Sequence, residues 1–146
     1  MSAEFTESVI TEFRASGGRV GGELAGTPII LIHHRGARTG AERVTPLAYT
    51  AEADGTLVIA ASNGGSPAHP SWYYNLKARP AIDVELGTET FAAVAEEITG
   101  AARGQLWARL AAVTPALAEF QTRTARQITL FTLTRRNQTV AATRSR

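Results

Sequence analysis

The 146-residue chain has no cysteine, and it has no long apolar run. Without cysteine, disulfide frameworks, thiol nucleophiles and thiolate metal sites are excluded, while a reducing cytosol is permitted. The histidines are His33, His34 and His69, whose spacing matches no zinc motif, so no metal site is expected. No apolar run approaches the roughly 18 residues of a membrane span. We therefore expect a cytoplasmic protein without a metal centre.

The chain also carries little net charge. Its formal net charge is only +2, which is too small to favour nucleic acid as a partner. Glu4, Glu7 and Glu12 interrupt any apolar segment near the start, so no signal peptide is expected. The positive charges are uneven, however, because arginines concentrate in residues 135–146 and in a short loop around residues 35–43. The first of these segments reads as a basic, disordered tail.

The apolar pattern predicts a mainly β chain of the α+β class. Strands are predicted over residues 27–34, 43–50, 56–61, 82–86, 91–95 and 128–133, and helices over residues 3–15, 71–78, 99–113 and 115–124. Asp54-Gly55 and Gly87-Thr88 are hairpin signals, and Ser71 and Thr99 are expected N-caps. Neither a regular βαβ alternation nor a GxGxxG motif is present. We therefore expect about six antiparallel strands in a sheet or barrel with helices packed on it.

Composition divides the chain into three parts. Residues 1–25 contain a helix, with Val9 and Phe13 on its apolar face, and a glycine-rich connection. Residues 26–134 form the β-rich domain, and residues 135–146 form the basic tail. The helix is expected to pack on its own domain, although weak contact with a membrane or a partner stays open.

Two loops that contain glycine each follow a predicted strand. In the first, Arg35, Arg38 and Arg43 surround two glycines. Glycine lets backbone N–H groups point into a concavity that suits an anion, and arginine forks suit phosphate or carboxylate oxygens. The second loop, Ser-Asn-Gly-Gly at residues 62–65, permits a similarly close backbone approach. For each loop, a plain solvated turn is the alternative.

Aromatic residues follow the second loop directly. Trp72, Tyr73 and Tyr74 precede Asn75 on a predicted short helix. Together with the two loops, this cluster describes a slot for a planar, anionic ligand. From the residues alone, burial of Trp72 and Tyr73 in the core remains the alternative.

Residues for hydrolytic chemistry are poorly represented. No GxSxG motif is present, and Glu96 and Glu97 are neighbours on a β run, so their side chains point opposite ways. His33 and His34 follow a strand and are interpreted as satisfied polar residues, with a base or a substrate contact as the alternative.

Three segments, in this order, resemble a known family. Residues 36–47, Gly-Ala-Arg-Thr-Gly-Ala-Glu-Arg-Val-Thr-Pro-Leu, are similar to the pattern Gly-Arg-Lys-(Ser/Thr)-Gly-x-x-Arg-x-x-Pro-Leu. Residues 62–65 are similar to Ser-Lys-Gly-Gly, and residues 70–76 are similar to Pro-x-Trp-Tyr-x-Asn-Leu. The family is that of the deazaflavin-dependent nitroreductases, split β-barrel proteins of actinobacteria that use coenzyme F-420. The resemblance extends from about residue 26 to residue 133.

The resemblance implies a split β-barrel that transfers a hydride from reduced F-420 to an electron-poor acceptor such as a quinone, an enone or a nitro compound. The first loop would hold the phosphate and acidic tail of the coenzyme, and residues 62–65 would border the deazaflavin. The implied cofactor-binding residues are Arg38, Thr39, Gly40, Arg43, Pro46, Ser62, Asn63, Gly64, Gly65, Trp72 and Asn75. A proton would come from solvent or from a hydroxyl such as that of Ser62 or Tyr73.

The chain departs from the family pattern at several positions. Asn63 stands where lysine is frequent, and Ala37 stands where arginine is frequent, so two charge-assisted contacts to the cofactor are expected to be missing. Thr114, Leu117 and Phe120 occupy the positions of three substrate-pocket tyrosines. Nitroimidazole reduction is therefore not expected of this chain, whereas a more apolar acceptor pocket is expected.

Two further hypotheses stay open beside the reductase. One is a ligand-binding barrel without turnover, and the other is an enzyme that uses FMN, since both loops suit either phosphate. Split barrels often pair through sheet or helix faces, which also leaves a homodimer open.

Overall fold

A computed structural model describes residues 3–136. The helices are α1 (Ala3–Ser16), α2 (Ser71–Ala78), α3 (Ala101–Val113) and α4 (Ala116–Thr122). The strands are β1 (Ile29–Arg35), β2 (Glu42–Ala48), β3 (Thr50–Ala51), β4 (Leu57–Ala61), β5 (Ala81–Leu86), β6 (Glu89–Ile98) and β7 (Thr129–Arg135). Short 3₁₀ turns at Gly22–Leu24 and Asn63–Gly65 complete the described structure.

The strands form one antiparallel sheet in the order β2-β1-β5-β6-β7-β4-β3. The predicted strand over 43–50 is divided at Tyr49, so the sheet has seven strands instead of about six. Because Tyr49 alone separates β2 from β3, the two edges of the sheet must lie close together. The sheet therefore curls into a split barrel, which confirms the predicted fold class.

The inside of the curled sheet holds the main apolar core. Ile32, Val84 and Phe131 belong to this core, and α2 inserts Trp72 and Leu76 into it. Helix α2 thus packs against the barrel interior and not against its outer surface. This placement brings the start of α2 next to the turn between β1 and β2, where Ala37 and Asn75 are hydrogen-bonded.

The other helices cover the outer face of the sheet in two places. Val9 and Phe13 of α1 are buried with Ile29 and Leu31, so the apolar face of α1 packs on its own sheet. A separate cluster beneath α3 and α4 contains Leu110, Leu117, Val58, Ile128 and Leu130. Within residues 3–136, no helix has both the length and the apolar composition needed to cross a membrane.

Several local predictions are tested by the element boundaries. The two predicted hairpins are confirmed, because β3 pairs with β4 across Gly55 and β5 pairs with β6 across Gly87. The N-caps at Ser71 and Thr99 are wrong: Pro70 and Gly100 occupy the capping positions, and neither helix has a side-chain cap. The capping position has φ 79° and ψ −156°, a conformation open essentially to glycine alone, so Gly100 and not Thr99 precedes α3.

The last strand extends into the segment predicted as tail. Arg135 is the final residue of β7, and both of its terminal nitrogens donate to the Glu89 carboxylate. The backbone N–H of Arg136 donates to the carbonyl of Ala92. The rest of the predicted tail, residues 137–146, lies outside the described residues.

Candidate functional site

A groove of about 500 Å³ opens between the β1–β2 turn and the start of α2. We call residues 36–43 the arginine loop and this cavity the anion groove. Of the predicted cofactor-binding residues, Arg38, Thr39, Arg43 and Asn75 line it, and Gly40 lies in the loop itself. The other lining residues are Gly36, Ala37, Ser71 and Tyr74.

The arginine loop folds as it does because of its two glycines. Gly40 has φ +74°, and a Cβ on Gly36 would lie only 2.6 Å from Thr39 Oγ1. The turn is closed by a bond from Gly40 N to Gly36 O and by one from Ala41 N to Thr39 Oγ1. None of the bonds within residues 3–136 uses the backbone N–H of Arg38 or Thr39. Two consecutive donors are therefore free at the groove.

The positive charges around the anion groove are also unpaired. Arg38 and Arg43 form no ion pair within the described residues. Helix α2 begins without a side-chain cap, and its first residue, Ser71, lines the groove, so the positive end of the helix dipole is close by. Guanidinium groups, free N–H groups and a helix start are the groups that bind phosphate or carboxylate.

Asn75 lines the anion groove and also connects the arginine loop to β1. Its Oδ1 accepts the backbone N–H of Ala37 at 2.9 Å, and its Nδ2 lies 2.9 Å from His34 Nδ1. Both ends of the amide are thus engaged, and Asn75 fastens the arginine loop to β1. The prediction of His34 as a satisfied polar residue fits this network, and burial, followed by the charges of Arg43 and His33, lowers the pKa of His34 to about 4.

The aromatic residues on α2 differ in exposure because they point to different sides of the helix. Trp72 is only 6% exposed and packs on Phe131, with 5.9 Å between ring centroids. Tyr73 stacks on His69 at 3.8 Å. Tyr74, which belongs to the predicted aromatic cluster but not to the implied cofactor-binding residues, is 51% exposed and lines the anion groove. The spacing of Ser71, Tyr74 and Asn75 on one helix face was the signal that could have found it.

The second predicted loop does not line the anion groove. We call residues 62–68 the glycine loop. Asn63, Gly64 and Gly65 have φ values of 48°, 63° and 85°, all in the left-handed region. Asn63 Nδ2 donates to the carbonyl of Ala68 at 3.0 Å. Asparagine tolerates this conformation better than most residues, which accounts for the one non-glycine residue with positive φ in the described part of the chain.

Arg126 holds the glycine loop in place through its carbonyl oxygens, a role that no sequence motif indicates. Its guanidinium donates to the carbonyl oxygens of Ala61, Ser62, Ser66 and Ala68 at 2.9–3.2 Å. The arginine stands alone between Ala125 and Gln127 before the last strand, in a segment without any recognisable motif. Long-range contacts of this kind are not visible in local sequence.

The predicted substrate-pocket residues separate in the structure. Thr114 lines a second groove of about 270 Å³ together with Pro46 and Leu47. Leu117 is only 3% exposed and lies in the core beneath α4, and Phe120 packs against the same cluster. This second groove also includes Leu24, Thr27, Ile29, Ala48, Pro115 and Ala116. It is mainly apolar and lies at the opposite end of β2 from Arg43.

A third, polar basin lies on the outer face of β1 and β5. It has a volume of about 160 Å³ and is lined by Arg35, Arg79 and Arg136, but also by Glu42 and Asp83. The two carboxylates offset much of the positive charge, so the basin is a weaker anion site than the groove. Within residues 3–136, no cluster of three or more potential metal ligands is present.

Comparison with known proteins supports a specific family. The family profile described as F420H(2)-dependent quinone reductase matches residues 6–135. The chain belongs to this family. F420H(2)-dependent quinone reductases from two strains of Mycobacterium tuberculosis, CDC 1551 / Oshkosh and ATCC 25618 / H37Rv, are each 35% identical to it over 130 residues, which cover 85% of this chain and 85% of theirs.

Solved structures agree with membership of the quinone reductase family. An F420-H2 dependent reductase (FDR-A) is 37% identical, with a TM-score of 0.67, and covers 77% of this chain and 99% of its own. A chain described as a domain-swapped dimer is 33% identical, with a TM-score of 0.68, and covers 87% of this chain and 94% of its own. The heme storage protein HutZ of Vibrio cholerae, at 17% identity and a TM-score of 0.55, shares the fold alone.

Proposed function

We propose that the protein transfers a hydride from reduced coenzyme F-420 to a quinone. Membership of the F420H(2)-dependent quinone reductase family supports this activity. The observation that carries the proposal is the anion groove, where Arg38 and Arg43 are unpaired and the N–H groups of Arg38 and Thr39 are free within the described residues. A coenzyme with a phosphate and an acidic tail requires such a cradle.

The residues of the groove fit the anionic part of F-420. Arg38 and Arg43 would supply charge, and the backbone of the arginine loop would supply directed donors. Tyr74 at the groove offers an exposed ring and a hydroxyl. When bound, the reduced deazaflavin supplies a hydride, and the quinone takes up this hydride and one proton to become a hydroquinone. The chain's own part is therefore binding, orientation and exclusion of water.

The remaining predicted site residues are proposed for the deazaflavin and the acceptor. Ser62 to Gly65 would border the ring system, with Trp72 supporting it from the core. The second groove, with Thr114 and Pro46, is the proposed acceptor side, and its apolar lining suits a quinone. Leu117 and Phe120 would shape this side from beneath, because both belong to the packed cluster under α4. The proton is proposed to come from solvent, Ser62 or Tyr73.

Several narrower statements stay predictions. They concern the reduction of enones and nitro compounds, an actinobacterial source and a cytoplasmic location. Weak membrane contact through α1 also stays a prediction, although Val9 and Phe13 are already buried against the sheet. A homodimer is supported by the similar chain described as a domain-swapped dimer. FMN is the less favoured cofactor, since the family is defined by F-420.

The proposal is tested by binding and by turnover. Titration with F-420, followed by tryptophan fluorescence, is expected to saturate at or below tens of micromolar, with FMN binding more weakly. Reduced F-420 is then expected to be oxidised in the presence of menadione, with slower or no turnover of a nitroimidazole. Binding without oxidation across quinones and cyclohexenone would favour a non-catalytic barrel. Absence of saturable F-420 binding would reject the proposal.

A further inference from the structure

Two buried side chains, His34 and Asn75, and the half-buried Thr45 are hydrogen-bonded in a row behind the arginine loop. Thr45 Oγ1 lies 2.8 Å from His34 Nε2, and His34 Nδ1 lies 2.9 Å from Asn75 Nδ2. Asn75 Oδ1 then accepts the backbone N–H of Ala37 at 2.9 Å. His34 is 2% exposed and Asn75 is 6% exposed, so water does not compete freely for these bonds. These hydrogen bonds link β2, β1 and α2 to the arginine loop, which lines the anion groove.

The direction of each of these three hydrogen bonds follows from the one at Ala37. The Ala37 N–H can only donate, so the carbonyl oxygen of the Asn75 amide must face it and the NH2 group must face His34. His34 Nδ1 must then be the unprotonated acceptor, and Nε2 carries the hydrogen that is donated to Thr45. The imidazole is neutral and held in one tautomer. The opposite orientation of the amide would place two donors against each other at Ala37.

We propose that His34 is a positioning residue for the anion site, because its Nδ1 atom accepts a hydrogen bond from the Asn75 amide and so holds that amide in the orientation that fixes the Ala37 N–H. Ala37 lies directly before Arg38 and Thr39, which line the groove and whose backbone N–H groups are unused within residues 3–136. Fixing Ala37 therefore sets the backbone from which these donors project. His34 itself touches no ligand in this arrangement. The inference rests on the proposed function only for the identity of the anion, which is the phosphate and acidic tail of F-420.

Two substitutions at the same position separate the two ring nitrogens. His34→Asn places an amide oxygen near the position of Nδ1, so it keeps the acceptor for Asn75 and loses the bond to Thr45. His34→Gln reaches the position of Nε2, so it keeps the bond to Thr45 and loses the acceptor for Asn75. Both replacements are polar, uncharged and of similar size. A general loss of packing would affect both variants, whereas the proposal predicts a difference between them.

The first measurement needs no cofactor. Hydrogen exchange of the Ala37 amide is followed in the free protein, together with the free energy of unfolding of each variant. His34→Gln is expected to accelerate exchange at Ala37 by about tenfold or more relative to the change in global stability, while His34→Asn retains the protection. Equal protection of Ala37 in wild type and in His34→Gln would overturn the proposal, whatever ligand the protein binds.

The second measurement compares F-420 with a deazaflavin riboside that lacks the phosphate and the acidic tail. His34→Gln is expected to weaken F-420 binding about tenfold and to leave binding of the riboside within about twofold, with rescue in His34→Asn. At saturating reduced F-420, kcat should be unchanged and only KM should rise. An equal loss for both ligands would show a general structural role and reject the proposal. Failure of the wild type to bind F-420 would instead reject the proposed function, and amide exchange would still decide the role of His34.

Discussion

The arginine loop and the glycine loop each follow a strand and each contain two glycines, but they use their backbone groups in opposite ways. In the arginine loop, the Asn75 carbonyl oxygen holds Ala37 from behind, and the N–H groups of Arg38 and Thr39 stay free within the described residues. In the glycine loop, four carbonyl oxygens of the segment from Ala61 to Ala68 are bound by one guanidinium, that of Arg126. Only the arginine loop combines unused N–H groups with guanidinium groups that form no hydrogen bond within the described residues.

This difference shows why composition alone is a poor guide to an anion site. Glycine and polar residues permit many turns, but an anion also needs charged donors that the protein has not already used. At the glycine loop, the guanidinium donors of Arg126 are already bound to carbonyl oxygens. The glycine loop is also packed from the side, because Gly65 faces the backbone of α4. Its role in the proposed site is to provide a rigid border, whereas the arginine loop provides charge.

The largest effect is expected where the glycine loop meets α4. A Cβ on Gly65 would lie 2.6 Å from the carbonyl oxygen of Phe120, and φ is +85°. Gly65→Ala is therefore expected to destabilise the fold by about 4 kcal/mol, from overpacking and backbone strain together. Gly64→Ala is the matched control, since φ is +63° but nothing lies within 4 Å; it should cost about 1 kcal/mol. Equal costs in urea unfolding would contradict the packed position of Gly65.

A smaller loss of stability is expected at acidic pH, because His34 lies behind the arginine loop and His69 directly follows the glycine loop. The pKa of His34 is lowered to about 4, mainly by burial, and burial also lowers the pKa of His69. The unfolded chain therefore takes up protons first as the pH falls below about 6.5. Stability should decrease between pH 6.5 and about 4, by up to about 3 kcal/mol for His34.

The pH dependence is separated by substitution of each histidine. Urea unfolding between pH 7 and pH 5 should show a flatter slope in His34→Gln than in His69→Gln, because His34 is the more deeply buried of the two. The slope is compared, not the absolute stability, since each substitution also removes contacts. An unchanged slope in His34→Gln would show that His34 is not held neutral behind the arginine loop.

The smallest effect on F-420 binding is expected from a positive charge at position 63 of the glycine loop, where the family pattern often has lysine. Asn63→Lys is expected to tighten F-420 binding about threefold, if this loop borders the coenzyme. The free energy of unfolding should fall by about 1 kcal/mol, because lysine tolerates the φ of 48° less well than asparagine. Asn63→Gln carries the same backbone strain without the charge and should not tighten binding. Unchanged or weaker binding in the lysine variant would place the glycine loop away from the anion.

Sequence alone predicted those features that depend on local pattern. Alternating apolar residues and the turns at Gly55 and Gly87 predicted the antiparallel sheet. The turn chemistry of the first loop pointed to Arg35, Arg38 and Arg43 together; Arg38 and Arg43 line the anion groove, whereas Arg35 lines the polar basin. Sequence alone did not give the division of the strand at Tyr49, since the change of pairing partner there depends on the closure of the whole sheet.

Features that depend on long-range contacts were missed. Arg126 reaches the glycine loop across more than fifty residues of sequence, and no local motif marks it. Trp72 and Tyr74 are both aromatic, and only their position on the helix relative to the core decides that the first is buried and the second exposed. The sequence placed an aromatic cluster beside the site, and the helical spacing of Ser71, Tyr74 and Asn75 was the one local indication that Tyr74 faces the groove.

The most direct test of the division between the loops is F-420 binding by the double variant Arg38→Gln/Arg43→Gln. Both side chains are exposed and unpaired within the described residues, so the free energy of unfolding should not change. The dissociation constant for F-420 is predicted to rise about 30-fold or more, because two charge-assisted contacts are lost. An unchanged dissociation constant in a fully folded double variant would contradict the assignment of the arginine loop as the anion site.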